Sequence, residues 1–170
     1  MNLLPQDVLV MLALVLDRSD AWTYEHLAHD LGMSSSMVHS AVKRSTRARL
    51  YDPVRKRPLR QALEEFLVHG VKYAYPPDVG GPTRGVATAW AVPALRSRIA
   101  GDDEERYVWP SPQGETRGIG LSPLYRSVPD IAWRNKQLYN ALGLLDAIRI
   151  GRARERVLAE ELLMDLLRHA

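Results

Sequence analysis

The chain has 170 residues and contains no cysteine. This absence excludes disulfide bonds, a cysteine nucleophile, a thiolate zinc site and a cysteine-held iron–sulfur cluster. It also fits a reducing compartment, and we expect a cytoplasmic protein.

The chain also lacks an apolar run of the ~20 residues that a membrane-spanning helix needs. Its apolar segment at residues 8–16 lies between Asp7 and Asp17 and has no basic start. We therefore predict a core helix there rather than a signal peptide, and no membrane partner. With 46% hydrophobic and 25% charged residues, the composition is typical of a globular protein. The length predicts one domain, or one small domain with an appendage.

Motifs of common catalytic sites are missing as well. The sequence contains no G-x-x-x-x-G-K-[ST] phosphate loop, no G-x-S-x-G elbow and no H-E-x-x-H pair. The spacing of His26, His29 and Asp30 would suit Zn²⁺ or Ni²⁺ in a metal-responsive switch, but it fixes no further ligand, and paired histidines on an exposed helix are more often solvated. We expect a non-enzymatic protein without a metal or cofactor.

Positive charge is concentrated in one segment. Residues 1–60 hold nine Lys or Arg against six Asp or Glu, whereas residues 61–170 hold fourteen of each. Within residues 43–60, eight basic residues face the single acid Asp52, a local balance of +7. Such a field favours a phosphate-binding surface, although a solvated basic face would have the same composition.

Residues 24–43 follow the pattern of a helix-turn-helix. This motif requires a small residue where its helices cross, a residue tolerant of positive φ at the turn, and apolar residues facing the core. Thr23 is a candidate cap for the first helix, and Ser34 or Ser35 for the second. The seven matching positions are Leu27, Ala28, Leu31, Gly32, Met33, Val38 and Ala41.

The second helix of the motif is predicted over residues 35–47. If Val38, Ala41 and Val42 face the core, the remaining side chains point outward and can donate to phosphates or base edges, and Met37 can touch a thymine methyl. The predicted DNA-binding residues of this helix and of the basic stretch after it are Ser35, Ser36, Met37, His39, Ser40, Lys43, Arg44, Arg47, Arg55 and Lys56.

Further segments complete the pattern of a winged helix. A helix is predicted at residues 5–16, another at residues 58–69 ending at Gly70, and strands at residues 71–75 and 86–90. Residues 3–95 resemble the MarR-type and related bacterial winged helix-turn-helix transcriptional regulators. That resemblance implies double-stranded DNA as the partner and places Arg84 on the tip of the wing, in a minor groove or on phosphate. The alternative is that Arg84 stacks on an aromatic ring of its hairpin or bonds loop carbonyls.

One segment occurs twice. Residues 72–86 and 106–119 both carry an aromatic stretch, a Pro/Gly turn and a T-R-G step. The repeat predicts two similar hairpins in one small sheet, with Arg117 as the counterpart of Arg84. The role of Arg117 stays open between DNA, a ligand, a partner and a purely structural contact. The acidic run at residues 102–105 between the copies is expected to be a solvated loop.

The C-terminal part is rich in leucine. Residues 138–148 are apolar on more than one face, and residues 152–168 carry five leucines and Val157. Leucines on two terminal helices need cover, which a homodimer, a partner protein or the chain's own core would supply. We expect a homodimer, because palindromic DNA sites need two-fold readers.

The predicted fold is α+β: a winged helix-turn-helix domain at residues 1–95, then a second small hairpin and C-terminal helices for dimerisation or partner binding at residues 96–170. The predicted function is transcription regulation by sequence-specific DNA binding. Repression is favoured over activation, because occluding a promoter needs no further surface. The alternative is an antitoxin-like or complex-assembly subunit whose C-terminal helices bind another protein.

Overall fold

The first three helices form the start of an α+β fold. The computed structural model describes residues 1–99 and 105–170, so residues 102–104 of the acidic run lie outside the described residues. Helix α1 spans Pro5–Leu16, α2 spans Tyr24–Leu31 and α3 spans Ser35–Arg47. The predicted α1, α2 and α3 are thereby confirmed, with a three-residue turn between α2 and α3.

The ends of α2 and α3 follow from their capping residues. The Thr23 Oγ1 accepts a hydrogen bond from the His26 backbone N–H at 3.2 Å, and the Ser34 Oγ accepts one from the Met37 N–H at 3.2 Å. Each satisfies a backbone donor that has no partner inside the helix. Gly32 ends α2 with φ at +62°, a conformation that costs a side-chain-bearing residue more than glycine.

Helix α1 lies in the core. Every residue from 8 to 16 except Ala13 is buried, which confirms the prediction of a core helix. It packs against α3 on one side and against the helix at residues 136–150 on another. Buried apolar area of this extent is the main stabilising contribution to such a fold.

A short hairpin follows α3, where the sequence had predicted only a basic extension. Strands β1 (Tyr51–Asp52) and β2 (Arg57–Pro58) pair antiparallel, with Tyr51 opposite Pro58 and Asp52 opposite Arg57. The Asp52 Oδ1 accepts hydrogen bonds from the backbone N–H groups of Val54 at 2.9 Å and Arg55 at 3.1 Å. Through these hydrogen bonds the Asp52 side chain closes the turn between the two strands.

The prediction of a strand at residues 71–75 is wrong. Helix α4 (Arg60–Glu65) continues through a π-helical turn (Phe66–Gly70) into α5 (Val71–Ala74). A strand would place Val71 and Tyr73 on one face, but Val71 is fully buried and Tyr73 is exposed. Val71 and Tyr75 instead follow helical spacing, and Gly70 lies inside the helical run with a negative φ of −102°.

The two copies of the repeat do not form two hairpins. Strand β3 spans Val79–Thr88, followed by a 3₁₀ turn (Ala89–Ala91) and the short helix α6 (Pro93–Arg96). Strands β4 (Tyr107–Pro110) and β5 (Thr116–Leu121) complete a three-stranded arrangement in which each strand pairs with both others. The T-R-G step of the first copy therefore lies within a strand, and the copies pair with each other.

The C-terminal helices belong to the chain's own core. Helix α7 spans Val128–Arg134, α8 spans Lys136–Ile150 and α9 spans Ala153–Arg168. Residues 141–149 of α8 are all buried, and α9 covers α8 with its inner face. Of the three kinds of cover that the sequence left open, the chain's own core covers α8 and the inner face of α9, so their leucines do not support the expected homodimer. The large apolar side chains of α8 and α9 that are buried within the chain include Leu138, Leu142, Leu144, Leu145, Ile148, Leu163 and Leu167.

A buried polar cluster joins α8 to the strands. The Asp146 Oδ2 accepts hydrogen bonds from the Thr88 hydroxyl and the Trp109 indole N–H, each at 2.7 Å, and Arg149 donates to Oδ1 at 2.8 Å. The Arg149 Nε donates to the Tyr75 carbonyl at 2.9 Å. Burial raises the pKa of the Asp146 carboxyl, and Arg149 acts against that shift. The cluster and the apolar core connect the segments on both sides of residue 95, which is the domain boundary predicted from the sequence.

Candidate nucleic-acid interface

The outer face of α3 carries most of the predicted contact residues. Val38, Ala41 and Val42 are buried, as predicted, and they turn the opposite side of the helix outward. Its exposed side chains are Ser36, His39, Lys43 and Arg47, while Ser35 and Ser40 are half-buried. Hydroxyl, imidazole and cationic groups thus follow one another along a solvent-facing side of the helix.

Arg44 is the exception in the predicted set. Its Nε and Nη2 donate to the two carboxylate oxygens of Asp7, both at 2.7 Å, and its side chain is only 13% exposed. The Asp7 carboxylate is fully buried in α1 and also accepts the Leu4 backbone N–H at 2.9 Å. The hydrogen bonds to Asp7 raise the pKa of Arg44 above its ordinary value. The structure therefore gives Arg44 a role in fixing α3 on α1, whereas the sequence placed it among the DNA contacts.

Met37 is not an isolated outward side chain. Tyr125 lies in the segment between β5 and α7, and its hydroxyl is 3.7 Å from the Met37 sulfur. In the same segment the Ser127 hydroxyl donates to the Leu31 carbonyl at 2.6 Å, beside the turn between α2 and α3. Arg126 is exposed, with its guanidinium 5.7 Å from the Tyr125 ring. Tyr125 and Arg126 thus border the N-terminal turn of α3, which no sequence spacing indicated.

A series of aromatic contacts connects the hairpin to α3. The Trp22 indole N–H donates to the Lys56 carbonyl in the hairpin at 3.0 Å. The Trp22 ring meets Tyr24 edge-on, with centroids 5.0 Å apart, and Tyr24 lies 5.2 Å from the His39 ring. Each contact joins exposed or half-exposed groups, so the hairpin tip and the outer face of α3 lie on the same side of the molecule.

The hairpin tip is strongly basic. Residues 53–57 are all exposed, with Val54 at 88%. The basic surface is defined here as Lys43 and Arg47 of α3 together with the hairpin residues Arg55, Lys56 and Arg57. Asp52 is an acid at its edge, with its carboxylate 3.8 Å from the Arg55 Nε. The hydrogen bond from the Arg55 backbone N–H lowers the pKa of Asp52, which keeps the carboxylate charged and the turn formed.

The hairpin had a signal in the sequence. The dipeptide Asp52-Pro53 is a typical start of a turn, and it lies between Tyr51 and the run R-K-R-P. Tyr51 is buried beneath the hairpin, and burial raises the pKa of its phenol to about 12. A phenol is neutral at physiological pH even at its ordinary pKa, so Tyr51 adds no negative charge beneath the basic surface.

Arg84 lies elsewhere. The prediction of a wing tip between strands at residues 71–75 and 86–90 is wrong, because Arg84 sits in the middle of β3, opposite Arg117 of β5. The basic hairpin next to α3 is instead formed by residues 51–58. Arg55 and Lys56, predicted as contact residues, occupy the tip of that hairpin.

Two of the residues considered for a metal site, His26 and Asp30, pair with each other. The His26 Nε2 lies 3.6 Å from the Asp30 Oδ2 on the exposed side of α2. Across residues 1–99 and 105–170, no three His, Cys, Asp or Glu side chains converge in a way that could hold a metal ion. In the same part of the chain, no helix combines the length and apolar character that crossing a membrane requires.

Comparison with protein-family models, with curated proteins and with solved structures gives no match. The function is therefore inferred from the geometry and charge of the chain itself.

Proposed function

We propose that the protein binds double-stranded DNA with α3 in the major groove and the β1–β2 hairpin as a wing, and that it acts as a transcriptional regulator. The observation that carries this proposal is the contact series from Lys56 through Trp22 and Tyr24 to His39, which holds a basic hairpin and an exposed helix face side by side. A major groove about 12 Å wide admits an α-helix. In a winged helix the hairpin then meets the flanking backbone or minor groove.

The charged and the uncharged residues of this surface are assigned different contacts with DNA. Lys43 and Arg47 lie on the C-terminal half of α3, and Arg55, Lys56 and Arg57 lie on the hairpin. Cations at such edges suit phosphate contacts, which orient a protein on the duplex without reading its sequence. Ser36, His39 and Ser40 form the central part of the face and are the candidates for base-edge hydrogen bonds. Sequence preference is therefore assigned to α3 and most of the salt-dependent affinity to the hairpin.

The test is the salt dependence of binding to a duplex selected by the protein from a random pool. The variant Lys43→Gln/Arg47→Gln should lower the slope of log K against log [salt] by about 1.8, because each neutralised phosphate contributes about 0.9. A matched control, Arg134→Gln/Arg154→Gln, removes the same charge from two exposed residues of α7 and α9.

The control should keep the wild-type slope. Equal slopes for both double variants, with circular dichroism unchanged, would contradict the assignment of α3. A second result would refute regulation by sequence-specific contacts: the protein selects no duplex sequence, and its DNA binding is lost at physiological salt. The protein would then bind DNA only weakly and non-specifically through its positive charge.

Repression by a homodimer remains part of the proposal. Two copies on a palindrome would place their α3 helices one helical turn apart. Because α8 and the inner face of α9 are buried within the chain, the proposed dimer no longer follows from uncovered leucines. Sedimentation with and without a palindromic duplex tests it: a 2:1 complex supports the dimer, and a 1:1 complex on single half-sites contradicts it.

A further inference from the structure

The repeated T-R-G steps meet in register. In the pairing of β3 with β5, Thr83 lies opposite Gly118, Arg84 opposite Arg117, and Gly85 opposite Thr116. The two steps are thus related by an approximate two-fold axis between the arginines. Both arginine side chains are exposed, and directly opposed residues of an antiparallel pair project from the same face.

This arginine pair has no ion-pair partner in the described part of the chain. No hydrogen bond or ion pair of either guanidinium occurs among residues 1–99 and 105–170, and Glu115, two residues before Arg117, forms no ion pair with either. Like charges directly opposite each other destabilise a strand pair. The two copies together form one such pair, and an anion bound between the two arginines would remove its electrostatic cost.

The backbone beneath the pair is tightly built. A Cβ on Gly85 would collide with the Trp109 carbonyl, and one on Gly118 would collide with the Arg106 carbonyl. A Cβ on Gly114 would likewise collide with the Gly85 backbone. Because the three strands are in close backbone contact around the pair, the positions of the two Cα atoms are fixed.

We propose that Arg84 and Arg117 together bind a phosphate group on the exposed face of the β3–β5 pair. Opposed residues have Cβ atoms about 4.5–5.5 Å apart, so both guanidinium groups can reach one tetrahedral anion. Each guanidinium presents paired N–H donors that match two phosphate oxygens, and the anion removes the repulsion between them. The phosphate comes either from the DNA backbone or from a free phosphate or phosphomonoester.

The first experiment uses inorganic phosphate and needs no DNA. Thermal unfolding is followed with and without 10 mM phosphate at constant ionic strength in sodium chloride. With a dissociation constant of about 1 mM, phosphate should raise the Tm of the wild type by about 3–5 °C. Arg84→Gln and Arg117→Gln should lose that shift, Arg84→Lys should keep part of it, and the control Arg154→Gln should keep all of it.

The repulsion between Arg84 and Arg117 makes a second prediction that the same thermal unfolding data test. Without phosphate, Arg84→Gln should melt at or above the wild-type temperature, because one of two like charges is gone. A phosphate shift that is equal in the wild type, Arg84→Gln and Arg117→Gln would overturn a free-phosphate site, since the anion would then act elsewhere.

The second experiment separates the two sources of phosphate. On a selected duplex, a backbone contact predicts that Arg84→Gln and Arg117→Gln each lower the salt slope by up to about 0.9 while Arg154→Gln does not. No phosphate shift and no change of slope together would overturn the proposal. A phosphate shift in a protein that binds no duplex would refute the DNA function and support the arginine pair as a site for a free phosphate.

Discussion

The ion pair between Asp7 and Arg44 predicts which of two adjacent basic residues of α3 is structural. The carboxylate is fully buried and bound by three N–H donors, two of them from Arg44 at 2.7 Å. Arg44→Met leaves this buried charge without its partner, a change that costs about 3–5 kcal/mol of the free energy of unfolding. For a domain of this size the Tm should fall by roughly 10 °C.

Two further variants make the prediction specific. Lys43→Met changes the neighbouring exposed residue and should alter the free energy of unfolding by about 0.5 kcal/mol or less. Adding Asp7→Asn to Arg44→Met removes the unpaired charge, so the double variant should be more stable than Arg44→Met by at least about 1 kcal/mol.

Urea unfolding of the four proteins gives the free energies, and DNA titrations give the salt slopes. Arg44→Met should keep the wild-type salt slope when measured well below its Tm, whereas Lys43→Met should lower it by about 0.9. The reasoning is refuted if Arg44→Met and Lys43→Met have the same stability, or if Asp7→Asn makes Arg44→Met still less stable. A lower slope for Arg44→Met at unchanged stability would restore Arg44 as a DNA contact.

Three other expectations follow from the packing. Gly85→Ala should lower the free energy of unfolding by several kcal/mol, because the new Cβ would collide with the Trp109 carbonyl. Gly81→Ala should be tolerated, because nothing lies within 4 Å of its Cβ position, and thermal unfolding of both variants tests the difference. Leu163→Ala should cost about 2–5 kcal/mol and the exposed Val157→Ala about 0.5 kcal/mol or less; equal effects would contradict the burial of the inner face of α9. The raised pKa of Tyr51 contributes stability that is complete below pH 10 and is lost as the pH rises to about 12. In urea unfolding, the free energy of unfolding of Tyr51→Phe should therefore fall less between pH 10 and 12 than that of the wild type. An identical fall in both proteins would refute this contribution of Tyr51.

The first three helices could be predicted because their signals are local. Thr23 and Ser34 cap helices through side chains that reach their own backbone, and Gly32 supplies the positive φ at the turn. Apolar spacing placed Val38 and Ala41 in the core. For the caps and the turn, the residue that determines the conformation acts on its own neighbouring backbone, so the signal lies within a few residues of sequence.

The remaining elements depend on partners distant in sequence. Residues 71–75 have the β-branched and aromatic composition of a strand, but the burial of Val71 against the core keeps them helical. The repeat was visible, yet nothing local indicated that its copies pair with each other rather than fold separately. Apolar composition alone also cannot distinguish an interface from a core, and α8 proved to be the latter.

The candidate surface is held from several sides, which bears on how it would bind. Asp7 fixes α3 on α1, Tyr125 contacts its N-terminal turn, and Trp22 and Tyr24 hold the hairpin beside it. A surface fixed in this way needs little ordering when it meets a partner, so less of the interaction free energy is lost to entropy. Loosening the hairpin with Trp22→Phe, which removes the hydrogen bond to Lys56 but keeps an aromatic ring, should therefore weaken DNA binding without removing any charge. Binding should recover as the temperature is lowered, and a wild-type affinity at all temperatures would show that the hairpin's own turn, closed by Asp52, is sufficient to position it.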